Sequence, residues 1–456
     1  MNAIALWPLL AVVTAVPGPD ADLGRRVEAY MRPYVQSGNF SGNVLVARGD
    51  RVLLERSYGQ ASYELSVPNA AATRFHVASV SKPFTAAAVL LLVQQGRLTL
   101  ADPLTRFVPD FPGGSGITVQ HLLTHTSGLR DINSAPFYEA ESRKPQTPES
   151  LVRLVRTLEP AAAPGERYGY SNANYNLLAY VIERASGMSY GEYLRTAILE
   201  PLDLRDTGHD GRAEALIPNR AMGYAVAGAR GMANAPWFDW SMKTGNGSIY
   251  TTTADLHRFV RAMVKGGLLP AGTLERLLTG TTGFAYGWSA GETAGRKAWT
   301  IAGRSPGFAA AVHALPEDDL YVVVLSNLYS TVAQTPIAPD LVAIALGKPV
   351  PPPQLSILAV DHGTLDALAG RYQGGDDFFF PRVVLDLRRD RDWVVMHWSS
   401  GADAILVPIG RDLFLDRTFW AQVRFTRDSG GQVQALVWRY ADRDYTAPRV
   451  AAVAPK

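Results

Sequence analysis

Apolar positions change their period several times along this chain, and each change marks an expected element. Between residues 20 and 38, Leu23, Val27, Tyr30 and Met31 recur at helical spacing. The following stretch, FSGNVLVARGDRVLLERSYG, alternates and breaks at Gly49 and Asp50, which predicts a β-hairpin. FHVASVSKPFTAAAVLLLVQQG begins as a run of small and apolar residues and then settles into a helical pattern, with Pro83 in the expected first turn. GRLTLADPLTRFVPDFP, punctuated by Gly, Asp and Pro, reads as a connection. Residues 165–187 read as a turn feeding a helix with Leu177, Leu178, Tyr180, Val181 and Ile182 on its apolar positions. Beyond Gly307, GFAAAVHALPEDDLYVVVLSN predicts a second hairpin whose later arm is apolar almost throughout. Such a strand is buried on both faces, so helices are expected on both sides of its sheet.

The texture changes at GKPVPPPQ, where consecutive prolines favour an extended linker. After it come short alternating runs with turns at Arg391 and Asp392, at residues 410–412 and at residues 429–431, the pattern of an antiparallel β-domain. Trp393, Trp398, Trp420 and Trp438 lie within these runs and are expected in its core. At the other end, MNAIALWPLLAVVTAVPG is apolar from Ile4 to Val16 with smallish residues at Val13 and Ala15, as in a signal peptide, although it lacks a basic start and contains Pro8. The expected organisation is a signal peptide at 1–16, one unit at 17–348, a Pro-rich linker at 349–355 and a β-domain at 356–456. A periplasmic or secreted location follows from that leader, with a cytoplasmic one as the alternative.

Composition narrows the field. The 456 residues carry 44 basic and 42 acidic side chains, a net charge of +2 with no basic block, which argues against nucleic acid or an anionic membrane surface as partner. No further segment has the length and apolarity of a membrane span. Cysteine is absent, which removes disulfides, thiolate nucleophiles and cysteine metal ligands.

Ser79 and Lys82 stand three apart at the mouth of a helix that is otherwise apolar. Residues so spaced share a face, and a serine hydroxyl needs a base within hydrogen-bond reach to become a nucleophile. The helix start adds free N–H groups and partial positive charge. Some ninety residues later, YGYSNANYNLLAYVIERASG places Tyr170 and Asn172 in a loop before a helix. A phenol shuttles a proton well when neighbouring cations lower its pKa, and an amide can orient the lysine or the substrate.

The order Ser79-x-x-Lys82 followed by Tyr170-x-Asn172 resembles the penicillin-recognising serine hydrolases, and most closely their class C β-lactamase-like branch. That branch includes D-alanyl-D-alanine carboxypeptidases, D-aminopeptidases and family VIII-type esterases. ITVQHLLTHTSGLRD, PLDLRDTGH, GSIYTTTADLHRFVRAM and PGFAAAVHALPEDDLYVVVLSN also match family text, in family order, over roughly residues 23–346. The resemblance implies an α+β fold: an antiparallel sheet flanked by helices, with an all-helical subdomain holding the tyrosine loop. The C-terminal β-domain, expected to be barrel-like, resembles the lipocalin-like appendages of some members.

The family's third motif, Lys or His then a small residue then Gly, falls here on Ile301, Ala302 and Gly303 in TIAGRSPGF. Isoleucine neither binds a carboxylate nor polarises a phenol. What survives is backbone: Gly303 admits substrate to the strand edge, and the Arg304 N–H can join the Ser79 N–H as an oxyanion hole. The Arg304 side chain would replace the lost cation only if it faced the site. Lys243-Thr244-Gly245 is a second K-T-G text, but it lies just ahead of the family's GSxxxTxxDLxRF segment rather than on the catalytic strand.

The remaining candidates are weaker. His121 and His125 have the i, i+4 spacing of a zinc pair without the glutamate of H-E-x-x-H, so no metal is expected. Glu317, Asp318 and Asp319 form a turn with no bond to flank. Tyr58, Tyr168 and Tyr175 are candidate pocket walls. The expectation is a cofactor-free serine hydrolase acting on a small-molecule or peptide-like ester or amide through an acyl-enzyme, esterase or D-aminopeptidase-like. The alternatives are a β-lactamase or DD-carboxypeptidase, a penicillin-binding sensor that does not turn over, and zinc-dependent hydrolysis; oligomeric state is left open.

Overall fold

Leu320–Ser326 is buried at every position, and the architecture is built around covering it. The computed structural model describes residues 19–450 apart from 230, 282, 354–355, 400, 402 and 441–442; the expected signal peptide lies outside the described residues. A seven-stranded antiparallel sheet runs through the first part of the chain. Its strands are β1 (Gly42–Arg48), β2 (Arg51–Tyr58), β3 (Phe284–Ala285), β4 (Trp288–Thr293), β5 (Arg296–Ser305), β6 (Phe308–Leu315) and β7 (Leu320–Ser326). Their spatial order is β3-β4-β5-β6-β7-β1-β2. Both expected hairpins form, but β1 lies beside β7 and is buried on both faces rather than alternating.

Helices cover the two faces. On one, α1 (Pro19–Gln36) and α5 (Ile337–Ala345) pack Val27, Met31, Leu341 and Val342 against Val44, Val46, Val322 and Val324. On the other, α2 (Lys82–Gln94) and α4 (Thr253–Lys265) meet through Phe84 and Phe259, stacked 3.6 Å apart, over Leu45, Val323 and Leu325. Between β2 and β3 the chain makes a helical subdomain that includes Pro148–Val155 and α3 (Asn172–Ser186), which ends on Gly187 in the left-handed conformation. Fully burying each such aliphatic side chain is worth roughly 1.5–3 kcal/mol, so this continuous core fixes α2 and α3 against one another. Among the described residues, no helix is long and apolar enough to cross a membrane.

The C-terminal part is a closed eight-stranded antiparallel barrel: β8 (Gly370–Gln373), β9 (Val384–Asp390), β10 (Trp393–Trp398), β11 (Asp403–Pro408), β12 (Leu413–Asp416), β13 (Ala421–Arg427), β14 (Val433–Tyr440) and β15 (Arg443–Val450). Trp398 and Trp438 fill its interior with Phe378 and Phe419. The other two tryptophans depart from the expected core position and face the first unit: Trp420 packs 5.0 Å from Tyr34, and Trp393 lies against Gly228. Between β12 and β13, Arg417 is wholly buried and donates to Asn39 Oδ1 (2.9 Å), Gly38 O (2.9 Å) and Ala227 O (3.1 Å) across the junction.

Candidate active site

Ser79 sits not in α2 itself but in the 3-10 turn Ala78–Ser81 that leads into it. In such a turn residues i and i+3 eclipse one another, which aligns Ser79 with Lys82 at the start of α2, followed by Pro83. Ala78, just before the serine, has φ 48°, an unusual value for a residue with a Cβ and a mark of local strain. The expected mouth of the helix is therefore sharp, and the lysine is inside it.

Lys82 is wholly buried. Its Nζ lies 2.9 Å from Ser79 Oγ, 2.9 Å from Asn172 Oδ1 and 3.0 Å from the carbonyl of Asn246. Burial pushes the amine well below the ordinary lysine range; Asp131 pulls it up and Lys243 pushes it further down. A neutral amine keeps two N–H donors for the two amide oxygens and turns its lone pair to the serine hydroxyl.

Tyr170 approaches the serine from the other side, with its hydroxyl 2.8 Å from Ser79 Oγ. The residue is 38% exposed while the hydroxyl points inward. Desolvation pushes the phenol up, against a smaller lowering by its bond to Ser79. This corrects the expectation that cations lower it: burial is the largest influence on the phenol, and Asp131 and Tyr168 add to the rise. Beneath the ring lies His125, stacked at 4.6 Å, whose Nδ1 accepts from the Ser171 N–H (3.2 Å) and the Asn174 amide (3.1 Å).

Asn172 is the first residue of α3. Asp131 holds it by three bonds, from its N–H (2.9 Å) and from Nδ2 to Oδ1 (3.1 Å) and Oδ2 (3.2 Å). The amide orientation is assigned by this network, which directs Oδ1 at Lys82.

The structure brings the third-motif strand, β5, to the same place. A Cβ added to Gly303 would lie 2.4 Å from Val77 O and 2.7 Å from Ser79 N, so the strand touches the serine's turn. Ile301, two residues back on the same face, is 3% exposed in the main core and offers no charge. Arg304 points to the opposite face, as alternation requires. Its guanidinium lies 4.6 Å from the Tyr329 ring and 4.5 Å from the barrel's Phe419, so it does not replace the missing cation. The other K-T-G text is not on a strand. Lys243 ends the 3-10 turn Trp240–Lys243, and Gly245 follows with φ 83° against the Tyr175 carbonyl.

The weaker candidates disperse. His121 closes a capping box with Thr118, while His125 supports Tyr170. Asp318 pairs with Arg296 (2.9 Å) and Asp319 with the Tyr321 hydroxyl (2.8 Å), as befits a turn. Tyr175 stands 5.5 Å from Lys82 Nζ and Tyr168 beside His125, whereas Tyr58 bonds to Glu28. Sequence reasoning gave no role to Asp131, although SGLRD was among the matched texts. Nothing in the residue type of Asn246 signals a backbone carbonyl beneath Lys82.

An antiparallel sheet flanked by helices that brings Ser79, Lys82, Tyr170 and Asn172 together agrees with the fold that the sequence resemblance implied. The Beta-lactamase family matches residues 27–347, and the chain belongs to that family. The putative penicillin-binding protein PbpX of Bacillus subtilis (strain 168) is 30% identical over 255 residues, 56% of this chain and 62% of that protein. The chain thus spans less than two thirds of that relative's length. The octameric penicillin-binding protein homologue from Pyrococcus abyssi is similar in fold over 93% of this chain and 100% of its own, with a TM-score of 0.64 at 24% identity. A D-stereospecific amidohydrolase from Streptomyces sp. matches 68% of this chain and 94% of its own, with a TM-score of 0.57 at 25% identity.

Proposed function

We propose that this protein cleaves an ester or amide bond through an acyl-enzyme on Ser79, as an esterase or a D-amino-acid amidase. One observation carries the reading: Lys82 Nζ at 2.9 Å and the Tyr170 hydroxyl at 2.8 Å converge on the same serine oxygen. The neutral Lys82 amine takes the Ser79 proton as Oγ bonds to the carbonyl carbon. Tyr170, kept a phenol by burial, gives its proton to the leaving oxygen or nitrogen as that bond breaks. The proton that Lys82 took from Ser79 passes to the resulting phenolate, so both groups return to their starting states. Asn172 and Asp131 hold the lysine in line. Water then bonds to the acyl carbon as Lys82 takes its proton, and the acid leaves as the bond to Ser79 Oγ breaks and that oxygen recovers the proton.

The oxyanion falls to the Ser79 and Arg304 N–H groups. Ser305 pairs with Phe308 across a two-residue turn, and antiparallel alternation then turns the Arg304 N–H away from β6. Each such donor is typically worth about 3 kcal/mol. The buried Ile301 at the cationic position favours esters and amides over β-lactams, and the D-stereospecific amidohydrolase neighbour favours a D-configured acyl group. In this reading residues 17–348 form the hydrolase, 349–355 the linker and 356–456 the barrel unit, and residues 1–16 direct export.

Ser79→Ala is expected to abolish p-nitrophenyl ester turnover and fluorophosphonate labelling; retained turnover removes Ser79 from its role. A panel of short-chain esters, D-amino-acid amides and cephalosporins ranks the substrates, and a cephalosporin cleaved as fast as an ester overturns the ranking. The penicillin-binding name of the Bacillus relative favours one second reading, a binder that acylates without turnover. A stable penicilloyl adduct with no ester hydrolysis is its signature.

A further inference from the structure

A second buried lysine lies close to the first, and the mechanism above does not use it. Lys243 is 5% exposed, and its ammonium donates to Asn133 Oδ1 (3.2 Å) and lies 5.0 Å from the Tyr138 ring, with no carboxylate partner among the described residues. An ammonium buried on one neutral acceptor is costly to keep.

Its stem passes near the turn that carries the nucleophile. A Cβ on Gly247 would lie 3.3 Å from Lys243 Cβ and 3.6 Å from the Ala78 carbonyl carbon, so this glycine sits between the lysine stem and the residue before Ser79. The same tight turn serves both lysines. The N–H groups of Asn246 and Gly247 donate to the Lys243 carbonyl at 3.0 and 2.7 Å, while the Asn246 carbonyl accepts from Lys82.

Asp131 is linked to both lysines, through one asparagine on each side. Its Oδ1 accepts from the Asn172 amide (3.1 Å), which turns to Lys82, and from the Asn133 N–H (3.3 Å), whose side chain turns to Lys243. The other groups facing Lys82 are Ser79, Tyr170, Tyr175 and His125. Burial holds both phenols up and the imidazole well below its ordinary range, so these are uncharged. The charged groups around Lys82 are thus one carboxylate and one ammonium, of opposite effect.

We propose that Lys243 is a positioning residue of this site: its ammonium, linked to Asp131 through Asn133, offsets the pull of the carboxylate and leaves the Lys82 amine free to accept the serine proton. The inference rests on the reading of Lys82 as the base. Without Lys243, Asp131 acts unopposed, Lys82 holds its proton to higher pH, and the rise of kcat/KM with pH starts later.

The test is the pH profile of kcat/KM for neutral p-nitrophenyl acetate in the wild type, Lys243→Met, Lys243→Gln, Lys243→Arg and Lys82→Ala. The neutral variants are expected to shift the acid limb to higher pH and to recover toward the wild-type plateau, while Lys243→Arg keeps the limb in place. A limb that stays put or moves down overturns the proposal. So does an equal loss at every pH, or a KM rise confined to substrates bearing a carboxylate, which would make Lys243 a substrate contact. If both neutral variants fail to fold while Lys243→Arg folds, the ammonium serves stability alone and the proposal falls. Lys82→Ala separates the two levels: turnover with an unchanged profile there refutes Lys82 as base, whereas an inactive Lys82→Ala with an unmoved Lys243→Met limb removes only the role of Lys243.

Discussion

Gly303→Ala tests whether the contact between β5 and the serine's turn is as tight as the geometry requires. The new methyl would lie 2.4 Å from Val77 O, 2.7 Å from Ser79 N and 2.9 Å from Val80 N. Ordinary carbon contacts begin near ~3.5 Å, so the overlap is of the order of 1 Å against backbone atoms that have no rotamer to change. Overpacking of this kind costs typically about 1–3 kcal/mol. Relief is available only if the strand and the 3-10 turn separate, which draws the Arg304 N–H away from the Ser79 N–H. Losing one oxyanion donor lowers kcat by about 10²–10³-fold. The expected result is a chain that melts a few degrees lower and labels with fluorophosphonate at least about 100-fold more slowly. Stopped-flow acylation with a p-nitrophenyl ester, beside thermal melts, reads both. A variant with wild-type acylation and an unchanged melt would show that strand and serine are not in contact, and the oxyanion assignment would fall with it.

The junction and the barrel give further expectations. Arg417→Ala strands buried acceptors at Gly38, Asn39 and Ala227, and should cost at least about 2 kcal/mol; a melt within a degree of wild type refutes this, and Lys at the position should not rescue, since one ammonium cannot reach acceptors on several sides. Asp416, buried in the barrel, has its carboxyl raised by desolvation to about 6, against about 3.9 in an unfolded chain. Between these values the folded state holds the extra proton, so this group makes stability fall as pH rises from about 4 to about 6. Asp416→Asn should flatten that part of the melting profile, and an unaltered slope refutes the assignment.

Much of the candidate site's geometry was legible because its contacts are local in the sequence. Ser79 and Lys82 are three residues apart, and the turn that eclipses them is marked by Pro83. Tyr170 and Asn172 flank the cap of α3, and the closing glycine of that helix was marked as well. Strand alternation left the side chain of Arg304 ambiguous, because the period gives two faces without saying which meets the serine. Only the sheet order, with β5 against the 3-10 turn, resolves it. The burial of β1 was hidden for the same reason, since its neighbour β7 is nearly three hundred residues away. Asp131 and Lys243 reach the site through Asn172 and Asn133. Such second contacts leave no spacing to read.

The exchange of the third-motif cation for Ile301 changes what β5 contributes. In the reading proposed above the strand, with no charge to offer, acts through its backbone, and a backbone donor is useful in proportion to how little it moves. Both faces of its end are held. Gly303 lies on the Ser79 turn, while Arg304 on the far side is clasped between Tyr329 and the barrel's Phe419. The barrel turn is itself tied to the chain after β7, by the Thr331 N–H to Thr418 O (2.9 Å) and Ser330 Oγ to Arg417 O (2.9 Å). In that reading no substitute charge replaces the cation; the end of the strand is instead held on both faces, and the barrel supplies one of its two clamps.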